Sequence, residues 1–202
     1  MKKYELTTEC KEFLGRKLYR IKALTSFSDV KKGDLGGWIA KEENLSQEGN
    51  AWVCDNATVF DNARVCDNAR VCGNARVFGN ATVCGNATVC GNATVCDNAM
   101  VCGNARVFGN ATVCGNAEIK KKTHLLEIGF IGSRDDVTTF FRTKDKGIFV
   151  KCGCFKGDID DFEKKVQKVH GDDKHGRVYA LAIAMAREQI ELDDEDVEEE
   201  DD

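Results

Sequence analysis

Val53-Cys-Asp-Asn-Ala-Thr58 begins a run of eleven complete hexapeptides, and Val113-Cys-Gly-Asn-Ala-Glu118 ends it. The first residue of every unit is Val and the fifth is Ala, and no insertion interrupts the register before Ile119. Because an internal period this strict outweighs the propensity of any single residue, the repeat decides the fold of residues 47–119.

A repeat of six residues favours strands joined by corners over a helix. Six is not a multiple of the helical period, so the repeated Val would spiral around a helix. In a three-residue strand of Thr or Arg, Val, and Cys or Phe, the Val points inward and its neighbours point outward. Gly or Asp followed by Asn then forms the corner, and we expect the Asn to adopt the left-handed conformation. The small Ala fits inside the bend.

The pattern Val-x-Gly/Asp-Asn-Ala-x resembles the hexapeptide-repeat family that includes UDP-N-acetylglucosamine acyltransferase. This resemblance implies a left-handed parallel β-helix in which three hexapeptides form one triangular coil. With the partial unit Gln47–Trp52, the repeats predict about four coils of a mainly β protein. The segments Leu35–Ala40 and Asn44–Val53 resemble, more narrowly, uncharacterised bacterial and phage hexapeptide-repeat proteins, some of which carry an acetyltransferase label.

The resemblance implies acyl transfer with a His as general base and with coenzyme A bound under loops between subunits. Here the only His residues are His124, His170 and His175, all after the repeats, and no loop interrupts the coils. An interior of Val and Ala leaves no room for a ligand. We therefore expect no catalytic residue, cofactor or metal and no enzymatic activity. An acyltransferase site completed between subunits and a purely structural oligomerisation module remain the alternatives.

The outward slot of the repeat carries cysteine or phenylalanine and predicts a contact surface. Stacking the coils sorts this slot into three columns: Cys54, Cys72, Cys90 and Phe108; Phe60, Phe78, Cys96 and Cys114; and Cys66, Cys84 and Cys102. Such apolar ladders predict a homo-oligomer, a dimer or a trimer. Most of the eleven cysteines share this slot, which indicates packing in a reducing, cytoplasmic compartment. Zinc needs four converging ligands, whereas ligands in a flat ladder diverge.

Residues 1–46 precede the repeats and are predicted to cap the open end of the β-helix. Lys3–Leu6 and Lys17–Lys22 are candidate strands, and Gly33–Gly37 is a candidate tight turn. Trp38 and Trp52 are expected in the core of this cap.

Residues 120–192 have a different composition and predict a small β-β-β-α-α domain. The candidate strands are His124–Ile131, Val137–Arg142 and Gly147–Phe155. Asp158 or Asp160 is expected to cap a first helix, and a second helix is expected from about Asp173 to Leu192. The inward residues are predicted to be Ile159, Phe162, Val166 and Val169 on the first helix, and Val178, Leu181, Ala182, Met185 and Ile190 on the second.

Two segments are candidates for binding a partner. In the loop-like stretch from Gly129 to Arg142, the polar residues Ser133, Arg134, Thr138 and Thr139 predict a contact with an anionic group. The C-terminal residues 193–202 are predicted to be a disordered tail. This tail carries nine acids, namely Asp193, Asp194, Glu195, Asp196, Glu198, Glu199, Glu200, Asp201 and Asp202, so the net charge of −5 becomes +4 over residues 1–192.

The acidic tail favours a protein partner with a basic surface. Four Arg in the repeats are opposed by four corner Asp, so we do not expect nucleic acid as a partner. No apolar run approaches the ~18 residues that cross a membrane. We therefore predict a non-enzymatic interaction protein. The resemblance to phage proteins implies that it binds and blocks a host macromolecule, such as a nucleic-acid-binding defence protein.

Overall fold

The structure, a computed structural model, describes residues 2–193 and begins with a long hairpin. Strand β1 (Tyr4–Phe13) pairs antiparallel with β2 (Arg16–Ala23), which pairs antiparallel with β3 (Leu35–Ile39). The predicted tight turn is wrong at Gly36 and Gly37, because both lie within β3. They are glycines for packing reasons, since a Cβ on Gly36 would lie 2.6 Å from side-chain atoms of Ile21 and Trp52.

Twelve two-residue strands follow, one for each hexapeptide. They are β4 (Trp52–Val53), β5 (Thr58–Val59), β6 (Arg64–Val65), β7 (Arg70–Val71), β8 (Arg76–Val77), β9 (Thr82–Val83), β10 (Thr88–Val89), β11 (Thr94–Val95), β12 (Met100–Val101), β13 (Arg106–Val107), β14 (Thr112–Val113) and β15 (Glu118–Ile119). Each strand from β4 to β12 pairs in parallel with the strand three units further along, and the strands form three sheets. The repeat segment is therefore a β-solenoid, as predicted.

The solenoid has about five turns, rather than the four predicted. The additional turn is built from residues assigned to the cap. β3 pairs in parallel with β5, and Leu45 bridges in parallel to Val65. Part of the N-terminal segment thus continues the solenoid without the repeat motif, and the β1–β2 hairpin extends one of its sheets.

The first and fifth positions of the hexapeptide fill the interior, as the sequence predicts. Every Val at position one and every Ala at position five is buried. Backbone hydrogen bonds join the coils above and below; for example, the Cys54 N–H donates to the Val71 carbonyl at 2.9 Å. The interior is therefore a closed apolar core.

The corners differ from the sequence-based expectation. The left-handed residue is the Gly or Asp at position three, as at Asp67 (φ 59°) and Gly73 (φ 68°), and not the following Asn. The Asn side chains instead form ladders between coils, in which the Asn68 amide donates to the Asn86 carbonyl oxygen at 3.1 Å. The corner Asp residues also receive hydrogen bonds, because Asp67 Oδ2 accepts from the Gly85 N–H at 2.9 Å.

The C-terminal domain contains four strands and two helices. Strands β16 (Leu125–Ile131), β17 (Asp136–Arg142), β18 (Ile148–Cys152) and β19 (Phe155–Asp158) form an antiparallel sheet in chain order. The third predicted strand is two strands, because a turn at Gly153 (φ 53°) divides it. Helix α1 (Ile159–His170) and helix α2 (Lys174–Gln189) follow, capped by the side chains of Asp158 and Asp173.

The predicted inward faces of both helices need correction. α1 buries Ile159, Phe162 and Val166, but Val169 is exposed. In α2 the buried side chains are Tyr179, Ala182, Ile183 and Ala186, with Ile190 at the helix end, whereas Leu181 and Met185 are exposed. Relative to the predicted orientation, the helix is rotated about its axis, so that Tyr179 and Ile183, rather than Leu181 and Met185, pack in the domain core.

A buried ion pair joins the domain to the last coil of the solenoid. The Arg142 side chain is fully buried; it donates to Glu118 Oε2 at 2.6 Å and to the Leu192 carbonyl at 3.1 Å. His124 is also fully buried at this junction, and its Nδ1 accepts a hydrogen bond from the Lys120 N–H at 3.2 Å. Among the described helices, neither is long and apolar enough to cross a membrane.

Candidate functional site

A groove of about 210 Å³ lies in the C-terminal domain, between the β16–β17 turn, the β18–β19 turn and the two helices. Its walls come from four separate segments of the chain. The lining residues are Ser133, Arg134, Asp136, Cys152, Gly153, Cys154, Phe155, Phe162, Lys165, Val166, Val169, His170 and Tyr179. A cavity of this size accommodates one side chain or a small ligand group.

The groove has aromatic walls. The Phe162 ring is 5.1 Å from the Phe155 ring and 5.5 Å, edge-on, from the Tyr179 ring, measured between centroids. Tilted and edge-on contacts at these distances are favourable aromatic packing, so the walls have a fixed shape. Val166 and Val169 of α1 complete the apolar lining. The geometry suits the burial of an apolar group.

Cys152 contributes a sulfur atom and Tyr179 a phenol oxygen to the groove lining. The Thr138 Oγ1 hydroxyl donates to Cys152 Sγ at 3.2 Å, and the Cys152 Sγ and Tyr179 Oη atoms lie 3.5 Å apart. Burial, followed by the hydrogen bond with Cys152, raises the pKa of the Tyr179 phenol above its usual value. The phenol is therefore protonated at neutral pH and can donate a hydrogen bond.

The rim carries more positive than negative charge. Arg134 and Lys165 supply two basic side chains, and Lys165 Nζ lies 5.4 Å from the centre of the Phe155 ring. Asp136 is the acid of the lining, and His170 Nδ1 lies 3.5 Å from an Asp173 carboxylate oxygen. An apolar groove with a cationic rim can hold an apolar group that has an anionic group beside it.

The structure divides the four predicted binding residues of this domain. Ser133 and Arg134 are exposed and line the groove, whereas Thr138 and Thr139 are buried, so these two side chains are not on the surface where the partner contact is predicted. Thr139 Oγ1 accepts a hydrogen bond from the Thr112 N–H at 3.2 Å and so closes the last coils of the solenoid. The sequence did not predict that Lys165 lines the groove, because this depends on how α1 packs beside the β18–β19 turn.

The predicted contact face of the solenoid is partly covered within the chain. Phe60 is 3% exposed because the Phe13 ring of the hairpin lies 6.0 Å away and the Phe78 ring stacks on it at 5.0 Å. Cys96 and Cys114, lower in the same column, are buried as well. Phe60, Cys96 and Cys114 are therefore buried within the single chain, and Phe78 is half-buried. The role of this column in an oligomer interface stays a prediction.

The other two columns keep more exposure. Phe108 is 55% exposed, and the cysteines at 66, 84, 90 and 102 are half-buried. Cys54 and Cys72 are joined by a disulfide between neighbouring coils, contrary to the expectation that the repeat cysteines only pack.

The Cys66 and Cys84 sulfurs and an Asp67 carboxylate oxygen lie within 4.8 Å of one another, close enough for a shared metal ion. However, burial raises the pKa of Cys66 and raises that of Cys84 to about 12, which favours protonated thiols. Asp67 already accepts a hydrogen bond from the backbone of the next coil.

The predicted acidic contact lies almost entirely outside the described residues. Asp193 is exposed, with its Oδ1 at 4.0 Å from Lys146 Nζ. The remaining acids, Asp194 to Asp202, are not among the residues that the structure describes. Their predicted role remains a prediction.

Comparisons with known proteins agree with the architecture of the repeats. Residues 51–67, 69–85 and 99–115 match the family described as YdcK Beta solenoid repeat. One similar protein is the "Uncharacterized acetyltransferase YdcK" of Escherichia coli (strain K12), 43% identical over 63 residues. The match covers 27% of this chain and 19% of the relative, so the chain spans about a fifth of that protein.

Proposed function

We propose that this chain is a non-enzymatic binding protein. Its repeat segment is a β-solenoid that matches the YdcK β-solenoid repeat family. The solenoid acts as a rigid spacer and the C-terminal domain carries the contact. The observation that supports this proposal is the groove, where apolar walls and a cationic rim converge. The solenoid interior, by contrast, is filled by buried Val and Ala and offers no space for a ligand.

The groove suits a partner that inserts one apolar side chain next to an acidic group. Phe155, Phe162 and Tyr179 provide the aromatic surface, and Arg134 and Lys165 provide the charge. Arg has a planar guanidinium that binds carboxylates in a bidentate manner, so Arg134 is the stronger of the two contacts. The Tyr179 phenol supplies a further donor at the edge of the apolar wall.

Small aromatic acids test the groove directly. We expect indole-3-propionate to shift amide resonances of the lining residues in a heteronuclear NMR titration, and its neutral amide to bind more weakly. Arg134→Ala should remove this preference for the acid, and Val169→Glu should abolish binding of both compounds. Leu181→Glu, an exposed change on the other side of α2, is the matched control and should bind as the wild type does. Shifts outside the groove, or none, would argue against the proposal.

The identity of the partner belongs to the same proposal. The resemblance of the flanking segments to phage proteins supports a host macromolecule as the partner, one that the protein binds and blocks. The acidic tail supports a basic surface on that macromolecule, which a nucleic-acid-binding protein has. Capture from host lysate with full-length, Arg134→Ala and tail-deleted protein separates the two contacts, because only the tail contact should weaken steeply with salt.

Acetyl transfer is the second candidate, and the name of the similar Escherichia coli protein favours it. The described residues place His124 in a buried junction and His170 at the rim of the groove, both outside the coils. We expect no heat of binding when acetyl-coenzyme A is titrated into the protein. A micromolar dissociation constant would favour the acyltransferase over the binding protein.

A further inference from the structure

The outer face of α2 is apolar and has no cover within the described residues. Leu181 is 71% exposed and Met185 is 54% exposed, although both are large apolar side chains. The neighbouring Ala180 and Ala184 are exposed as well. These four residues span less than two turns, on the side of the helix that faces away from buried Tyr179 and Ile183. Apolar surface of this kind indicates a contact surface.

A charged residue lies at each end of this face. Arg177 precedes it and Glu188 follows it, both are exposed, and neither has an ion pair within residues 2–193. Arg187, in contrast, is paired with Asp160 at 2.7 Å and with Glu163 at 2.8 Å. The Arg177 guanidinium donates one hydrogen bond to the Asp172 carbonyl oxygen. The face therefore ends in a positive charge on one side and a negative charge on the other, and neither is neutralised by an ion pair within the described residues.

This arrangement is complementary to itself. If two copies of α2 lie antiparallel about a two-fold axis between positions 182 and 183, Arg177 faces Glu188 of the partner subunit. The same axis places Leu181 opposite Ala184 of the partner subunit and Met185 opposite Ala180 of the partner subunit. Each large side chain thus meets a small one, which allows close packing of two helices. Antiparallel helices also align their macrodipoles favourably.

We propose that the outer face of α2 is the interface of a homodimer with two-fold symmetry. A second copy of the chain is the occupant because the order of charge and of side-chain size along α2 matches its own reverse. In a two-fold interface each such contact occurs twice, so both Arg–Glu pairs and both sets of apolar contacts form together. The interface lies on a different side of the domain core from the groove, so the dimer does not depend on the proposed ligand.

A charge reversal tests the register. Analytical ultracentrifugation of the wild type should show a concentration-dependent dimer, because a single helix pair is a small interface. Arg177→Glu or Glu188→Arg should each raise the dissociation constant by about tenfold, since two like-charge contacts replace two ion pairs. The double variant Arg177→Glu/Glu188→Arg should restore the wild-type value. Lys168→Glu, the same charge change on α1, should have no effect.

An apolar test complements the charges. Leu181→Glu should give a monomer, whereas Val169→Glu, a change at an exposed valine of α1, should stay dimeric while losing the aromatic-acid binding of the groove. Circular dichroism melts show whether each variant is folded. If Leu181→Glu does not fold, the charge-reversal variants still test the interface. A wild type that is monomeric at every concentration, or a double variant that is no tighter than the single ones, overturns the proposal.

Discussion

Which side chains are buried is determined differently in the solenoid and in the C-terminal domain. The sequence predicts the buried side chains of the solenoid much better. In the solenoid each hexapeptide places its residues in the same environment, so the Val at position one is buried in every unit. In the C-terminal domain each residue occurs once, and its environment depends on which elements pack around it. Periodicity therefore carries information about burial that composition alone does not.

The largest effect is expected where the periodic core is broken. Val89 lies in the middle of the solenoid and is fully buried, so Val89→Asp places a carboxylate where no water or partner can reach it. Removing an unpaired charge from water costs several kcal/mol, and we expect a loss of more than ~5 kcal/mol, enough to prevent cooperative folding. Circular dichroism melts measure this loss.

The neighbouring strand residue provides the control. Thr88 points outward and is half-buried, so Thr88→Asp should melt within a few degrees of the wild type. If both variants melt alike, the inward and outward positions of the repeat are not distinguished as the structure indicates, and the comparison between the two regions fails.

Within the solenoid, the sequence predicted the inward residues but not how the ends and corners are built. The additional turn uses Leu45 without any repeat motif, and only the parallel bridge to Val65 reveals it. The corner was assigned to Asn because Asn tolerates positive φ, yet Gly and Asp occupy that position. Both residue types tolerate the conformation, and sequence alone does not order them.

In the C-terminal domain, the failure has a definite cause. Residues 178–186 of α2 form an unbroken apolar run, Val-Tyr-Ala-Leu-Ala-Ile-Ala-Met-Ala, so no polar residue marks the outer face. A stripe through Leu181 and Met185 was as good a prediction as one through Tyr179 and Ile183. For the same reason the sequence did not predict the groove, although it singled out Ser133 and Arg134 of its lining: Tyr179 lines the groove only with the observed rotation of the helix.

A second test sharpens the comparison between two columns of the repeat. Phe60 and Phe108 occupy the same slot of the hexapeptide, but Phe60 is packed under the hairpin and Phe108 is largely exposed. Phe60→Ala should cost about 4 kcal/mol, as truncations of buried Phe do, and Phe108→Ala should cost less than about 0.5 kcal/mol. Urea unfolding measures both; equal losses would mean that the hairpin does not cover the column.

A third test addresses the junction of the two regions. Burial raises the pKa of Glu118, but its hydrogen bond with Arg142 and the nearby Lys120 outweigh burial and leave the pKa below its ordinary value of 4.5. Burial, with Arg142 next, lowers the pKa of His124 below 6.5. In both cases the unfolded chain takes up the proton first, so acidification favours unfolding.

The free energy of unfolding should therefore be highest above pH 6.5 and should decrease as His124 is protonated in the unfolded chain. It should decrease further below pH 4.5, where Glu118 is protonated in the unfolded chain. Glu118→Gln should cost about 3 kcal/mol at pH 7, because it removes one partner of a buried ion pair, and should flatten the loss below pH 4.5. Melting curves at several pH values measure this. The exposed Glu48→Gln is the control, and an identical acid profile in both variants would contradict the assignment.

The smallest effect is expected at a corner, where backbone conformation and a hydrogen bond can be separated. Asp67 has a φ of 59°, and its carboxylate accepts the Gly85 N–H at 2.9 Å. Asp67→Ala loses the hydrogen bond and keeps a Cβ in a left-handed conformation, so we expect a loss of about 2 kcal/mol. Asp67→Gly loses the same bond but relieves the backbone, as Gly does at this position in other units, and should stay within about 0.5 kcal/mol of the wild type.

Fluorescence of Trp38 and Trp52 measures the urea midpoints of the Asp67→Ala and Asp67→Gly variants. Both tryptophans are packed at the end of the solenoid near this corner. A Gly variant as unstable as the Ala variant would show that the hydrogen bond, rather than the left-handed backbone, stabilises the corner. The ladder of Gly85 and Gly103 argues for the backbone, because these coils form the same corner with no carboxylate at that position.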